Sequence, residues 1–268
     1  MNYTPIVPFS GFMGWNFLKR TMEVQTEAFR KAPDLKRDEE YFRAKIGGVK
    51  TAEDLVSDRR LLKVALGAYG LDADINNRFF LRKVLEDGTL DPAALSNRLA
   101  DKQYKAFSAG FGFGDFATPR TQLSDFADKT LSAYRARGFE SAVGAQNDDL
   151  RLALNAEREL STLSRRSSGE DTLWFTVMGN APLRKVFETA LGLPGSFASL
   201  DIDRQLDTLK QKTSKVFGQS GISQFSDPEK TEKLVRRFLV RSEAMASFSS
   251  NSPGAMALQL IQSATQNR

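Results

Sequence analysis

The sequence contains neither cysteine nor histidine. Without cysteine, disulfides, thiolate metal sites and thiol nucleophiles are excluded. Without histidine, the chain lacks the commonest general base, the commonest transition-metal ligand and the central member of a Ser-His-Asp triad. An enzyme built from this chain would have to use carboxylates, lysine, serine or tyrosine alone. We therefore predict a protein with no catalytic residue, no metal site and no cofactor.

The charge balance is mild for the length of the chain. The 268 residues include 38 basic and 33 acidic side chains, which gives a net charge of +5 and a pI of about 9.4. Acidic residues alternate with basic ones along the chain, so no concentrated basic face is evident. We expect no nucleic acid among the partners, although a mildly basic helix face keeps a nucleic-acid-binding regulator as the alternative.

The N-terminal segment has no charged side chain before Lys19. A secretory signal needs a positive start and an unbroken apolar run, whereas Pro5 and Pro8 interrupt this segment. We predict a flexible, uncharged arm over residues 1–14, and neither a signal peptide nor a membrane span.

Nearly every later segment has the apolar spacing of an α-helix, and alternating β-branched runs are lacking. The pattern from Pro119 to Arg166 is long and almost continuous, with Gly138 and Gly144 as its weak points. We predict an all-α fold, a multi-helix bundle of about ten helices with a long central helix pair.

One twelve-residue phrase occurs twice. LLKVALGAYGLD at residues 61–72 returns as LRKVFETALGLP at residues 183–194, with six identical positions. Each copy predicts a helix that ends with glycine in the left-handed position, here Gly70 and Gly192, and GFGFG predicts the same at Gly112. Because the repeated residues are apolar, the phrase indicates a building unit rather than a site, and it suggests internal duplication of a helical half.

The expected organisation is one compact unit made of several parts. An N-terminal helical half spans residues 15–117, the long central helices span 118–166, and the C-terminal helical half spans 172–268, after a polar linker at 164–171.

Two patterns resemble chemical sites but favour structural roles. The glycine-rich GFGFGDF at residues 110–116 follows a helix and lacks a phosphate-loop motif, so we interpret it as an apolar turn. The acidic pairs Glu39-Glu40, Asp148-Asp149 and Glu157/Glu159 could serve acid–base chemistry if buried. However, Asp148, Arg151, Asn155 and Arg158 follow helical spacing, which predicts a salt-bridged surface.

Three surfaces are candidates for interaction. The first helix carries the apolar stripe Trp15, Leu18, Met22 and Phe29, and the C-terminal segment carries Leu258 and Ile261 at near-heptad spacing. Such helices pair with partner helices or dock on their own core, and both readings remain open. Lys233, Arg237 and Arg241 form a basic stripe that either faces solvent or contacts an acidic partner or nucleic acid.

Longer phrases carry a family resemblance. LVSDRRLLKVALGAYGLD, INNRFFLRKVLEDGTLDPAALSNRLADKQY, FGFGD and RGFESAVGAQNDDLRLALNAEREL resemble the uncharacterised alphaproteobacterial domain-of-unknown-function family twelve-seventeen. The likeness covers about Tyr41 to Leu163. Members are often encoded among flagellar genes, so the resemblance implies a role in motility or flagellar assembly and no established catalytic residue.

The expected function is therefore that of a non-enzymatic, flagellum-associated structural subunit or assembly or export factor. Its partners would be other flagellar or assembly proteins, bound through amphipathic helices. It would reside in the cytoplasm or, after export without a cleavable signal, in the flagellum. The sequence leaves the oligomeric state open.

Overall fold

The computed structural model describes residues 3–250 of the chain. Within them the chain forms α-helices and short 3-10 helices and no β-strand, which confirms the predicted all-α class. The thirteen α-helices are α1 (Gly11–Arg30), α2 (Pro33–Lys45), α3 (Ala52–Ser57), α4 (Arg59–Tyr69), α5 (Arg78–Asp87), α6 (Leu95–Arg98), α7 (Lys102–Phe111), α8 (Phe126–Gly144), α9 (Asp148–Leu163), α10 (Glu170–Met178), α11 (Ala181–Leu191), α12 (Ile202–Phe217) and α13 (Pro228–Ser250). The predicted long central pair is α8 and α9, with Gly144 at the end of α8.

The helices belong to two compact units. The first unit consists of Met1–Ile6, Leu18–Gln146 and Phe175–Ala181, and the second of Val7–Phe17, Asn147–Trp174 and Pro182–Arg268. The predicted half at residues 15–117 lies mainly in the first unit, and the half at 172–268 lies mainly in the second. The predicted central segment is divided between them after Gln146, so that α8 belongs to the first unit and α9 to the second. Each unit contains one copy of the repeated phrase, in α4 and α11.

In the first unit, α4 is the helix with the largest share of buried residues. Seven of its eleven residues are buried, including Leu62, Ala65 and Leu66, which have no exposed surface. Gly67 lies against Tyr134 of α8, so closely that a Cβ at Gly67 would stand 2.7 Å from the tyrosine ring. The small residue thus allows α4 and α8 to approach closely, and close packing of two apolar faces supplies most of the stability of a helical core.

In the second unit, aromatic side chains form a continuous core. The ring centroids of Trp174 and Phe187 are 5.2 Å apart, those of Phe187 and Phe225 are 5.4 Å apart, and those of Phe225 and Phe217 are 5.2 Å apart. All three contacts are edge-to-face, the arrangement that aromatic quadrupoles favour. Trp174 Nε1 donates to the carbonyl of Ser220 at 2.9 Å, so the indole is buried without leaving its polar atom unpaired.

The predicted helix ends are confirmed at all three glycines. Gly70, Gly112 and Gly192 have φ values of 74°, 70° and 67°, in the left-handed region. In both copies of the repeat the next residue closes the helix, because Leu71 N donates to Leu66 O at 3.0 Å and Leu193 N donates to Glu188 O at 2.9 Å. These bonds complete a Schellman motif, which satisfies carbonyls that the last helical turn leaves without partners.

The sequence predicts helix starts at the capping pair Thr51 and Asp54 and at four pairs in which proline follows an N-cap side chain, Asp91-Pro92, Thr118-Pro119, Asp227-Pro228 and Ser252-Pro253. These predictions are confirmed in part. Thr51 and Asp54 form a reciprocal capping box at α3, and Asp227 accepts from Glu229 N at 2.9 Å where Pro228 opens α13. The prediction is wrong for Asp91, since a turn follows Pro92 and α6 begins only at Leu95. Asp91 accepts from Ala93 N, a local bond that a turn provides as well as a helix does. Pro119 precedes only a short 3-10 helix, and Ser252-Pro253 lies outside the described residues.

The approach of α4 to α8 gives the first prediction. We expect Gly67→Ala to destabilise the protein by about 1–2 kcal/mol, because overpacking against Tyr134 outweighs the better helix propensity of alanine. Urea unfolding followed by circular dichroism measures the change. Gly47→Ala is the matched control, since a Cβ there would meet nothing within 4 Å. Equal stability of Gly67→Ala and the unchanged protein would contradict the close approach.

Candidate functional site

The stripe on α1 is part of the protein interior. Trp15 and Leu18 have no exposed surface, and Trp15 Nε1 donates to both carboxylate oxygens of Glu232 at 3.1 Å. Met22 is half-buried, and Phe29 packs edge-to-face on Phe139 with ring centroids 5.8 Å apart. Trp15 and Leu18 therefore dock on the protein's own core, which is one of the two interpretations of the stripe that the sequence allows. Leu258 and Ile261 lie outside the described residues.

Gln25 occupies a position on the same stripe, and sequence reasoning missed it. It lies seven residues after Leu18 and is only 5% exposed, although its side chain is an amide. Gln25 Oε1 accepts from Ile6 N at 2.7 Å, and Gln25 Nε2 donates to Ile6 O at 3.0 Å. The signal was a polar residue at an apolar position of the stripe, because a buried amide must have hydrogen-bond partners.

Residues 3–6 thus lie along the first unit as an extended arm. Besides the bonds from Ile6 to Gln25, the Tyr3 hydroxyl donates to Gln25 Oε1 at 3.3 Å, and Gln146 Nε2 donates to the carbonyl of Pro5. The Tyr3 ring packs edge-to-face on Phe29, with the centroids 6.0 Å apart. The uncharged arm predicted from the sequence is bound to the first unit over these residues, and α1 begins at Gly11 rather than at Trp15.

A cavity of about 560 Å³ lies beneath this arm, within the first unit. Tyr3, Thr4 and Pro5 line it on one side, and Phe29, Leu35 and Ala142 contribute apolar surface. The volume falls in the range of small-ligand pockets.

Three polar side chains of the cavity bond one another. Lys63 Nζ donates to Asp38 Oδ2 at 2.6 Å, and the Tyr134 hydroxyl donates to the same oxygen at 3.1 Å. Burial, and then the nearby Asp38 carboxylate, raises the pKa of Tyr134 above its usual value, so this phenol stays protonated and donates throughout the physiological range. The three groups form a satisfied network, which suits a structural wall better than an acid–base pair.

The basic stripe on α13 contacts the C-terminal ends of two other helices of the second unit. Lys233 Nζ donates to Val216 O, in the last turn of α12, at 2.8 Å, and Arg237 Nε donates to Ala190 O, in the last turn of α11, at 3.3 Å. The Arg241 guanidinium lies beside Gly192, which closes α11. Cations stabilise helix C-termini because the last carbonyls lack partners and carry partial negative charge.

Each predicted acidic pair has at least one member that pairs with an arginine, and in the third pair this is Glu159, which pairs with Arg158 at 2.7 Å. Asp148 pairs with Arg151 at 2.7 Å, as the salt-bridged surface predicts, while Glu39 pairs with Arg135 at 3.1 Å. The surface reading is wrong for Asn155, which is only 3% exposed. Its α9 position faces inward because Ala153, Leu154 and Ala156 around it are buried as well.

Within residues 3–250, no group of three or more acidic side chains is arranged to hold a metal ion. None of the helices described there combines the length and apolar composition that a bilayer crossing requires.

The glycine-rich segment after α7 is a packing turn, as predicted. A Cβ at Gly114 would overlap the backbone of Glu86 and Gly88, so glycines on both sides allow the turn to press against the end of α5. Asp115 holds this contact: it accepts from Thr89 N at 2.5 Å, from Thr89 Oγ1 at 2.8 Å and from Leu90 N at 3.1 Å. Burial acts to raise the pKa of Asp115, but these bonds outweigh it and place the pKa below its usual value.

Asp115 gives a prediction of pH-dependent stability. A carboxyl whose pKa is lowered by folding contributes stability that is complete above its unfolded pKa and lost as the pH falls through its folded pKa. We therefore expect Asp115→Asn to cost about 1–2 kcal/mol of unfolding free energy at neutral pH and much less near about pH 2. Urea titrations at several pH values measure this, with the exposed Asp203→Asn as control. A cost independent of pH would show that the charge of Asp115 is unimportant.

Comparison with known proteins gives the family of the chain. The model of the family described as "Protein of unknown function (DUF1217)" matches residues 68–231, more than half of the chain. The chain is similar to protein AGR_C_984 from Agrobacterium tumefaciens, known from an X-ray crystal structure, with a TM-score of 0.72 and 27% sequence identity. That similarity covers 90% of this chain and 98% of the other. None of the curated proteins matches the chain.

The family match confirms the resemblance noted in the helix-and-cap phrases, because residues 68–231 include most of those phrases. The chain belongs to the DUF1217 family, whose members are proteins of unknown function.

Proposed function

We propose that this protein is a non-enzymatic, flagellum-associated structural subunit or assembly or export factor that acts through helix–helix contacts. The flagellar setting rests on the family, whose members are often encoded among flagellar genes. The mode of action rests on one observation, the solvent exposure of the C-terminal part of α13 within the described residues.

Helix α13 continues well beyond its packed portion. Leu234, Val235, Phe238 and Leu239 have no exposed surface, but residues 243–247 are all exposed. Val240 is 51% exposed and Met245 is 56% exposed. From Ala244 to Asn267 the sequence contains no charged side chain.

An exposed, uncharged helical segment is suited to pairing with another helix. A helical segment as short as this exposed end is only marginally stable in water by itself, so a helix that continues past its packed portion gains stability from an apolar partner. Amphipathic helices commonly dock through a few such side chains into a partner's groove. The partner that fits is therefore an apolar helix or groove of another assembly protein.

The contacts of the candidate polar groups favour this reading over the alternatives. The cavity network of Lys63, Asp38 and Tyr134 is satisfied internally, which supports a non-enzymatic role. The alternative, a nucleic-acid-binding regulator, rests on the basic stripe, but Lys233 and Arg237 bond helix ends within the second unit. That role accounts for the stripe without an external partner.

The proposal predicts that charge on α13 disrupts the association with flagella. We expect Val240→Lys combined with Met245→Lys to reduce the amount of protein that co-fractionates with purified flagellar structures by about tenfold or more, as loss of an apolar hot spot does. Quantitative immunoblotting of cytoplasmic, membrane, medium and flagellar fractions measures it, together with motility in soft agar. Lysine is a good helix former, so α13 itself should persist.

Val24→Lys is the matched control, since Val24 is 74% exposed on α1. Absence of the unchanged protein from every flagellar fraction, with normal motility after deletion of its gene, would refute the flagellar role. Unaltered co-fractionation of the double variant would refute the role of α13.

A further inference from the structure

The arm at residues 3–6 is held by hydrogen bonds to its backbone and by the buried side chain of Pro5. The Gln25 amide bonds both the N–H and the C=O of Ile6, while Gln146 donates to the carbonyl of Pro5. The Ile6 side chain itself is 63% exposed and contributes little to this contact. This is the manner in which grooves bind extended peptides, with main-chain bonds for affinity and a side-chain contact, here Tyr3 on Phe29, for selectivity.

The groove cannot be left empty without cost. Gln25 is 95% buried in the presence of the arm, and removal of Ile6 would leave its amide without the two bonds that the arm provides. Gln25 Nε2 keeps its bond to Thr21 Oγ1 at 2.8 Å while the bonds to Ile6 pass to water, so a groove that loses one arm regains those bonds by binding another segment of the same kind. The cavity beneath Tyr3, Thr4 and Pro5 shows that the arm does not fill the space below it.

The connection after the arm makes few contacts. Pro8, Phe9 and Ser10 are exposed, and the contacts of this stretch include the edge of the Phe17 ring, 6.2 Å from that of Phe9, and a 3.5 Å bond from Ser10 to Glu243. A short change of direction in this stretch would leave all bonds of residues 3–6 unchanged while placing them on another molecule.

We propose that the arm exchanges between copies, so that the partner of the Gln25 groove is the N-terminal arm of a second copy of this chain. An exchanged arm makes the same bonds as the arm of the same molecule, and only the connecting residues differ. Such exchange is a low-cost route to association, governed by protein concentration. The groove accepts an uncharged, extended segment with an aromatic residue three positions before the clamped one. The residues of this groove differ from those at the end of α13, so substitutions test the two contacts one at a time.

The experiment uses the absence of cysteine from the chain. The full-length Ile6→Cys variant carries a donor fluorophore on its exposed side chain, and the full-length Val24→Cys variant carries an acceptor beside Gln25. The two are mixed over a range of concentrations, and sensitised acceptor emission is recorded with time. We expect emission that rises with concentration and falls when unlabelled protein is added in excess.

Gln25→Leu in both copies should lower the emission about tenfold or more, because three hydrogen bonds to the arm are lost, two with Ile6 and one with Tyr3. Gln146 is an exposed residue after α8, and Gln146→Leu should weaken exchange as well. Because this variant replaces no buried side chain, it tests the groove even if Gln25→Leu fails to fold. Gln122→Leu is the matched control: its amide also bonds a backbone carbonyl, that of Gly47, but does not touch the arm.

No emission at any concentration would overturn the exchange, and so would emission that both Gln25→Leu and Gln146→Leu leave unchanged, since the copies would then associate elsewhere. Co-fractionation with flagella tests the α13 contact and is read separately, so failure of one proposal is distinguishable from failure of the other.

Discussion

Burial of one apolar helix within each compact unit is the interaction on which the rest of the structure depends. In the first unit this helix is α4, which is buried on most of its surface and meets α8 across Gly67. In the second unit α11 supplies Leu183, Val186 and Phe187 to an aromatic core. Hydrophobic burial gives these helices their stability, but a helix that enters a core must also end without unpaired carbonyls. Gly70 and Gly192, the left-handed glycines within the two copies of the repeat, meet that requirement.

Hydrogen bonds from side chains to the backbone fix the segments that do not pack into either core. Gln25 binds the arm, Lys233 and Arg237 bind the ends of helices, and Asp115 joins the glycine-rich turn to the end of α5. Several groups that resembled functional residues in the sequence thus have partners that explain them structurally. The two proposals therefore rest on surfaces where an apolar side chain or a backbone segment changes partners.

Two such surfaces follow from the architecture and differ in character. Residues 243–247 of α13 are exposed in the part of the chain that the structure describes, which suits contact with a different protein. The groove for the arm is already occupied by a segment of this chain, and it bonds the backbone of Pro5 and Ile6, which suits exchange between identical copies. Each of the two proposals thus has its own surface, one for a different protein and one for a second copy of this chain.

The sequence by itself determined the local features: the all-α class, the long pair α8 and α9, the capping box at Thr51 and the glycine ends at Gly70, Gly112 and Gly192. Periodicity and capping depend on residues a few positions apart, so they can be read from the chain. Only the tertiary structure decided that Trp15 is buried, that Asn155 faces inward, that Gln25 binds Ile6 and that the basic stripe caps α11 and α12. Those outcomes depend on partners distant in sequence, such as Glu232 for Trp15 and Ala190 for Arg237, and a single helical pattern contains no information about which distant group will meet it.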